Sequence, residues 1–297
     1  MKDILTIVFR LTVSCLLAGL VMGGGFMLTS KAKQHNEHVN EQRVMLSLLG
    51  YSEDNPAPAE MELHEIYRYV VTEGEALSVA YLVPVEGGFS FVNIGLEGDF
   101  LGQTPVEISE EKVAKEGDRF LAIQTVIGTG KVIRFADQTI VVTNGGARQA
   151  YLLPGEFPGF KTFIKVILAI DPAFTLLGLE IMEHEEDPGL GGEIIQDYFK
   201  GQFKGKSFDT IKKLDVAKLP LPDEYQQALE SEKSGLGEED VARIMGLYKD
   251  KDIYALTGAT ISSKSVTSGV RAIVKKFAYR VSILDRVLAE QKIQVSF

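Results

Sequence analysis

The sequence predicts an α+β protein, in which a single N-terminal transmembrane helix precedes a soluble domain of mixed or antiparallel sheet with packed helices. Three observations carry that expectation. Residues 11–29, LTVSCLLAGLVMGGGFMLT, contain no charged side chain. Residues 61–155 and 163–184 hold β-branched and aromatic runs separated by turn residues. From Ser263 to Gln291 the apolar residues fall at Val266, Val270, Ile273, Val274, Phe277, Val281, Leu284 and Leu288. Those offsets of three and four are the α period.

Composition narrows the partners. The chain has 297 residues, 45% hydrophobic and 24% charged, as globular proteins do. Its net charge of −10 excludes nucleic acid, whose phosphates need clustered Lys and Arg. The one cysteine, Cys15, permits no internal disulfide and no cysteine metal centre. His35 and His38 stand three apart near Glu41 and can meet on one helical face. Two imidazoles and a carboxylate are too few for a structural zinc site, so no metal is expected.

Residues 1–30 read as the anchor. Nineteen helical residues reach about 30 Å, the hydrocarbon thickness of a bilayer. The apolar run ILTIVF at 4–9 lies upstream, and Arg10 can snorkel toward the interface. A cleaved signal peptide wants a shorter apolar core and a small-residue cleavage site, and neither is present. Lys2 and Arg10 flank one side, and Lys31, Lys33 and Arg43 the other. That near-tie leaves orientation open.

Residues 31–60 read as a stalk helix closed at Gly50, then the linker SEDNPAPAE. Residues 61–155 read as a strand-rich first half, with strands at 77–83, 89–95, 119–127 and 138–144. GTGK at 128–131 lacks the earlier glycine of a phosphate loop and reads as a tight turn. Residues 156–297 form the mixed second half. Strands are expected at 163–171 and 174–184, with a turn at Asp171-Pro172. A short helical stretch at 193–206, an irregular or short-strand segment at 207–225, and a polar helix at 225–235 follow.

Two motifs carry chemistry. YALTGATISSKSV at 254–266 holds five hydroxyls, Thr257, Thr260, Ser262, Ser263 and Ser265, at the start of the long helix. Gly258 and Ala259 let a group approach the backbone. The free N–H groups of the helix start make an anion seat. A helix cap with spare hydroxyls explains the same residues. HEEDPGLGGE at 184–193 follows a strand. Its Gly189, Leu190 and Gly191 make a side-chain-poor loop fit for a planar ligand, beside His184, Glu185, Glu186 and Asp187. Taken alone, the motif reads more readily as an acidic surface turn. It is not a dinucleotide fingerprint, because Ile194 occupies the third glycine place.

Together the motifs resemble the FMN-binding domain of the G subunit of the Rnf electron-transport complex, shared by the C subunit of the sodium-pumping NADH:quinone reductase. That family has an H-x-E-T-P-G-L-G loop and, downstream, an [ST]-G-A-T motif. Here they read His184-Glu185-Glu186-Asp187-Pro188-Gly189-Leu190-Gly191 and Thr257-Gly258-Ala259-Thr260. FKGQFKGK at 199–206 also resembles the family. The resemblance covers about residues 158–280 and the anchor; residues 61–155 match by position only.

The resemblance implies that 156–297 is an FMN-binding domain. It implies FMN held by a phosphoester on Thr260, placed there by a flavin transferase from FAD. It implies cofactor contacts from Thr257, Gly258, Ala259, His184, Glu186, Asp187, Gly189, Leu190 and Gly191. It further implies an inner-membrane, single-pass subunit of a redox complex, with its domain on the extracytoplasmic side. Such a subunit relays electrons and is not an enzyme on its own, so no catalytic residue is expected. A quinone-reductase C subunit, a membrane-anchored flavoprotein sensor outside any pump, and an assembly subunit with a bare Thr260 are the other readings. Two residues depart from the family. Asp187 replaces its Thr, and a carboxylate beside a flavin would lower its potential. Tyr254 stands where the family has an acid six residues before the modified Thr, and Asp252 is the nearest acid.

Overall fold

The structure is a computed structural model describing residues 2–297; for Lys2, Asp3, Leu5, Met27, Leu28, residues 31–38 and Glu232 it describes the backbone alone. The His35–His38 pair therefore lies outside the described side chains. The chain divides into two compact units, one ending at Ser47 and one beginning at Leu48.

The first unit is almost all of α1 (Lys2–Leu48). Within it, Thr6–Phe26 is a 21-residue segment of mean hydropathy 1.9, long and apolar enough to cross a membrane. Leu11, Leu16, Leu17, Leu20, Val21 and Phe26 are exposed around its circumference. The hydroxyls of Thr12, Ser14 and Thr29 donate to the carbonyls of Val8, Arg10 and Gly25, four residues back. These bonds leave no hydroxyl of the three bare in an apolar segment. After α1, Gly50 takes φ +86°, the left-handed closure expected of it.

The second unit is built on one eight-stranded antiparallel sheet in the order β4-β3-β2-β1-β5-β6-β7-β8. The strands are β1 (Met61–Glu73), β2 (Ala76–Val85), β3 (Gly88–Gly95), β4 (Phe100–Val106), β5 (Val132–Asn144), β6 (Ala147–Pro158), β7 (Phe163–Ile170) and β8 (Leu176–Glu183). Two four-strand meanders thus meet along the β1–β5 pair. Strand β6 runs through residues 155 and 156, so the sheet is continuous there. Alternation along β1 sends Ile66 to one face and Tyr67, Tyr69 and Val71 to the other.

Helices α2 (Glu110–Val113) and α3 (Glu116–Ile127) cover the second of those faces, joining β4 to β5. Residues 119–127, where the sequence predicts a strand, are instead helical. The burial period decides it: Arg119 and Ile123 are buried while Phe120 and Leu121 are exposed. That is a four-residue repeat, not the alternation a strand requires. Arg119 donates to Tyr69 Oη at 2.7 Å and to the Val113 carbonyl, and lies 3.8 Å from the Tyr67 ring centroid. A buried guanidinium thus ties both short helices to β1.

The opposite face carries the long helix α9 (Thr260–Glu290), whose Val266, Val270, Val274, Phe277, Val281, Leu284 and Leu288 are buried. Before it come two 3₁₀ turns (Gly191–Ile195 and Gly201–Phe203), α4 (Asp197–Lys200), α5 (Phe208–Lys213), β9 (Val216–Ala217), α6 (Asp223–Leu229), α7 (Ser231–Ser234), α8 (Glu238–Tyr248) and β10 (Ile253–Tyr254). The segment 207–225, expected irregular or short-strand, holds the short strand β9 together with α5 and the start of α6. Its Ser207 caps α5 by accepting from Thr210 N–H at 3.3 Å. Helix α8, with Glu238, Glu239 and Asp240 in its first turn, has no counterpart among the elements the sequence predicts.

One buried amine organises the approach to α9. Lys206 is 1% exposed, and its Nζ donates to the carbonyls of Tyr248, the last residue of α8, and of Lys249 and Lys251 just beyond it. Burial pulls its pKa down to about 8, against the pull of Asp250 and Asp252. In the unfolded chain the same amine titrates at its ordinary value of 10.5. Between those values the unfolded state binds more protons, so stability from this residue rises with pH. In urea titrations of the micelle-solubilised chain between pH 7.5 and 10, the wild type should gain about 2 kcal/mol on Lys206→Met. A difference that stays constant with pH would refute a lowered pKa.

Candidate functional site

The N-terminus of α9 is met by two loops, 158–162 between β6 and β7, and 184–192 after β8. The two sequence motifs are therefore neighbours in space. Leu190 lies over Gly258: a Cβ added there would stand 3.0 Å from Leu190 Cδ2. Gly258 also takes φ +76°, so the TGAT turn needs glycine on both counts. Gly189, at φ +72°, makes the corresponding turn in the facing loop.

The five hydroxyls are not equivalent. Ser263, 0% exposed, accepts from Leu256 N–H and donates to the Ala259 carbonyl, both at 3.0 Å. Ser262, 3% exposed, donates to Glu186 Oε2. Ser265 is half-buried and Thr257 exposed. Thr260 is the first residue of α9, half-buried, and its hydroxyl has no hydrogen-bond partner among the described residues. The N-cap position belongs to Ala259, which makes no side-chain bond. The first N–H groups of the helix have no carbonyl of the preceding turn to bind, and its first turn has no acid. The positive end of the helix dipole is left facing Thr260.

Glu186 is 5% exposed and does not face solvent. Its Oε1 accepts from the N–H groups of Phe160 at 2.7 Å and Lys161 at 3.3 Å. Its Oε2 accepts from Ser262. His184 is half-buried, and its Nδ1 accepts from Glu186 N–H at 3.2 Å, which leaves the proton of the neutral ring on Nε2. Asp187 pairs with Lys161 Nζ across the two loops. That hydrogen bond, and then the charge of Asp187, raise the Lys161 pKa above its ordinary value. Sequence reasoning takes Asp187 as an unbalanced charge and misses Lys161, which lies 26 residues away.

Tyr254, where an acid is anticipated, has a packing role. Its ring meets those of Tyr225 and Tyr248 edge-on, at centroid distances of 6.2 and 6.1 Å. Gln202 clasps its backbone, accepting from Tyr254 N–H at 2.8 Å and donating to its carbonyl at 3.3 Å. Asp252, the nearest acid, accepts from Asp215 N–H at 3.0 Å and joins β9 to β10. The segment FKGQFKGK thus contributes Phe199, Gln202, Phe203 and Lys206, all buried, to hold the chain leading into the TGAT turn.

Residues 159–275 match the family described as the FMN-binding domain. The chain is 33% identical over 132 residues to the G subunit of a proton-translocating ferredoxin:NAD(+) oxidoreductase complex of Clostridium ljungdahlii, covering 44% of this chain and 55% of that protein. It is 25% identical over 157 residues to the G subunit of the Na(+)-translocating ferredoxin:NAD(+) oxidoreductase complex of Acetobacterium woodii, covering 52% and 61%. It is 28% identical over 120 residues to the C subunit of the Na(+)-translocating NADH-quinone reductase of Vibrio vulnificus, covering 39% and 47%. The chain spans about half the length of the curated relatives it matches. The similarity to both kinds of protein, expected from the two motifs, is found.

The geometry separates the hydroxyls energetically. Ser263→Ala strands the buried Leu256 N–H and should cost about 1–3 kcal/mol in denaturant titrations. Thr257→Ala, at an exposed position, should stay within about 0.5 kcal/mol of the wild type. Equal effects would contradict this assignment.

Proposed function

We propose, from the premise that residues 159–275 match the FMN-binding domain family, that this chain is a membrane-anchored flavoprotein subunit of an Rnf-type ion-translocating electron transport complex. FMN is attached to Thr260 by a phosphoester. The observation that carries the assignment is the unbonded, half-buried Thr260 hydroxyl at the start of α9, beside two serines whose hydroxyls are engaged.

The residues fit the group. The small turn of Gly258 and Ala259 leaves room for a phosphate, and the first-turn N–H groups and helix dipole stabilise its charge. The loop with Gly189, Leu190 and Gly191 offers backbone and one aliphatic side chain to a planar ring. Attachment by a flavin transferase forms a bond from Thr260 Oγ1 to the FMN phosphorus of FAD. The pyrophosphate bond to AMP breaks, AMP leaves with the bonding electrons, and the hydroxyl proton passes to solvent. When bound, FMN supplies electron transfer; the protein holds it and sets its potential. The segment Thr6–Phe26 anchors the chain in the cell membrane with the domain outside the cytoplasm, beside the other members of the complex. The similarity to a quinone-reductase C subunit supports a second reading, the same role in that related complex.

Coexpression with a flavin transferase tests this. The intact mass should exceed that of the bare chain by one FMN less water, and the denatured band should fluoresce. Thr260→Ala should lose all covalent flavin and keep its circular dichroism spectrum. An unmodified Thr260 beside an active transferase would refute the assignment. The Lys161–Asp187 pair sets a further expectation for the loaded chain. Asp187→Thr should raise the flavin midpoint potential, Lys161→Gln should lower it, and the double variant should fall between them. A redox titration reads all three; no shift in either single variant would place the pair away from the flavin.

A further inference from the structure

We infer that Glu186 is a positioning residue which acts on Thr260 through Ser262, not a ligand of the cofactor. This rests on the reading of Thr260 given above. The carboxylate is buried and receives three donors from two segments: the N–H groups of Phe160 and Lys161 in the 158–162 loop, and the Ser262 hydroxyl in the first turn of α9. Its own backbone N–H is held by His184. One side chain therefore joins both loops to the helix start.

Two glycines let the surrounding chain close onto that carboxylate. A Cβ at Gly191 would stand 2.6 Å from Ser262 Oγ and 2.7 Å from Glu186 Oε2. A Cβ at Gly159 would collide with Glu186 Oε1 and lie 2.9 Å from the Thr162 carbonyl. Neither glycine has the positive φ that would otherwise account for it. Both face the Glu186 carboxylate, Gly191 together with Ser262 and Gly159 together with Ile164 and the Thr162 carbonyl.

The consequence is selection among hydroxyls. Ser262 is two residues beyond Thr260 on the same helix start and is chemically a competent acceptor. Glu186 occupies it, and through it fixes the turn from which Thr260 projects. Loss of Glu186 frees Ser262, leaves two N–H groups unmatched and loosens the first turn of α9.

The test uses the full chain coexpressed with a flavin transferase, and compares Glu186→Ala, Glu186→Gln, Ser262→Ala and the Glu186→Ala/Ser262→Ala double variant. Two readouts are taken: flavin incorporated at Thr260 by peptide mass spectrometry, and hydrogen–deuterium exchange of residues 256–263. Glu186→Ala and Ser262→Ala should each slow incorporation and speed exchange by roughly tenfold. Strands β5 to β7 should exchange as in the wild type. The double variant should be no worse than the poorer single, as expected for one coupled unit. Glu186→Gln should restore incorporation to within about threefold, since a carboxamide oxygen accepts from both N–H groups and its NH₂ donates to Ser262. Unchanged exchange in Glu186→Ala, additive losses in the double variant, or failure of Gln to rescue would each overturn the inference. Exchange reads the clamp without flavin, so an unloaded wild type would refute the Thr260 reading and leave this one still decided.

Discussion

The close approach of α9 to β6 is the constraint on which the rest of the second unit depends. Gly269 of the helix sits against the Phe157 ring with no space for a Cβ, and Gly155 of the strand receives Ile273, whose Cδ1 would lie 2.7 Å from a Cβ there. These two glycines, one on each element, lock the helix onto the strand in translation and rotation. The lock lies within about four turns of Thr260. The helix start is thereby placed at the end of the sheet where the loops after β6 and β8 emerge. Side chains far from the site decide where its N–H groups point.

From that lock, polar groups do the finer placement. Lys206 and Gln202 are buried donors that find backbone partners near α8 and β10, and so carry the chain toward the TGAT turn without a bare polar atom. Glu186 and Ser263 act in the same way on either side of the first turn. The apolar core sets the helix axis, while these bonds set the turn at its end. Removing core methyl groups and removing these polar groups have different signatures: the first lowers global stability, the second loosens one end.

Much of this is legible in the sequence. The long helix is readable because eight apolar residues keep the α period from Val266 to Leu288. The meeting of the two motifs is readable only through the family resemblance, since no periodicity links residue 187 to residue 260. The α3 segment misleads because RFLAIQTVI is rich in residues that favour strands, and propensity there is overridden by burial of Arg119 and Ile123 against β1. Helix α8 goes unpredicted although Val241, Ile244, Met245 and Tyr248 keep offsets of three and four, because the run is only eleven residues long and Gly246 interrupts it. The role of Glu186 is not readable at all. A sequence shows a carboxylate in an acidic run, and only the fold shows that Glu185 is exposed, Asp187 paired to Lys161, and Glu186 turned inward.

The charge pattern carries the last step. In a chain of net charge −10, helices α3 and α8 each begin with acids, which compensate their own dipoles. Helix α9, the longest of the second unit, begins Thr-Ile-Ser-Ser with none. The nearest anion is supplied from another segment, by Glu186, and is spent on Ser262 and two loop N–H groups. In the proposed reading, the N–H groups beside Thr260 would receive the phosphate of FMN. Free phosphate binding in an acidic protein would be weak and salt-sensitive, because no cluster of Lys or Arg is offered. The covalent ester proposed above would remove that weakness: the helix start would then need only to orient and stabilise a group that cannot dissociate. Hydroxyls and N–H groups suffice for that, and they are what this turn provides.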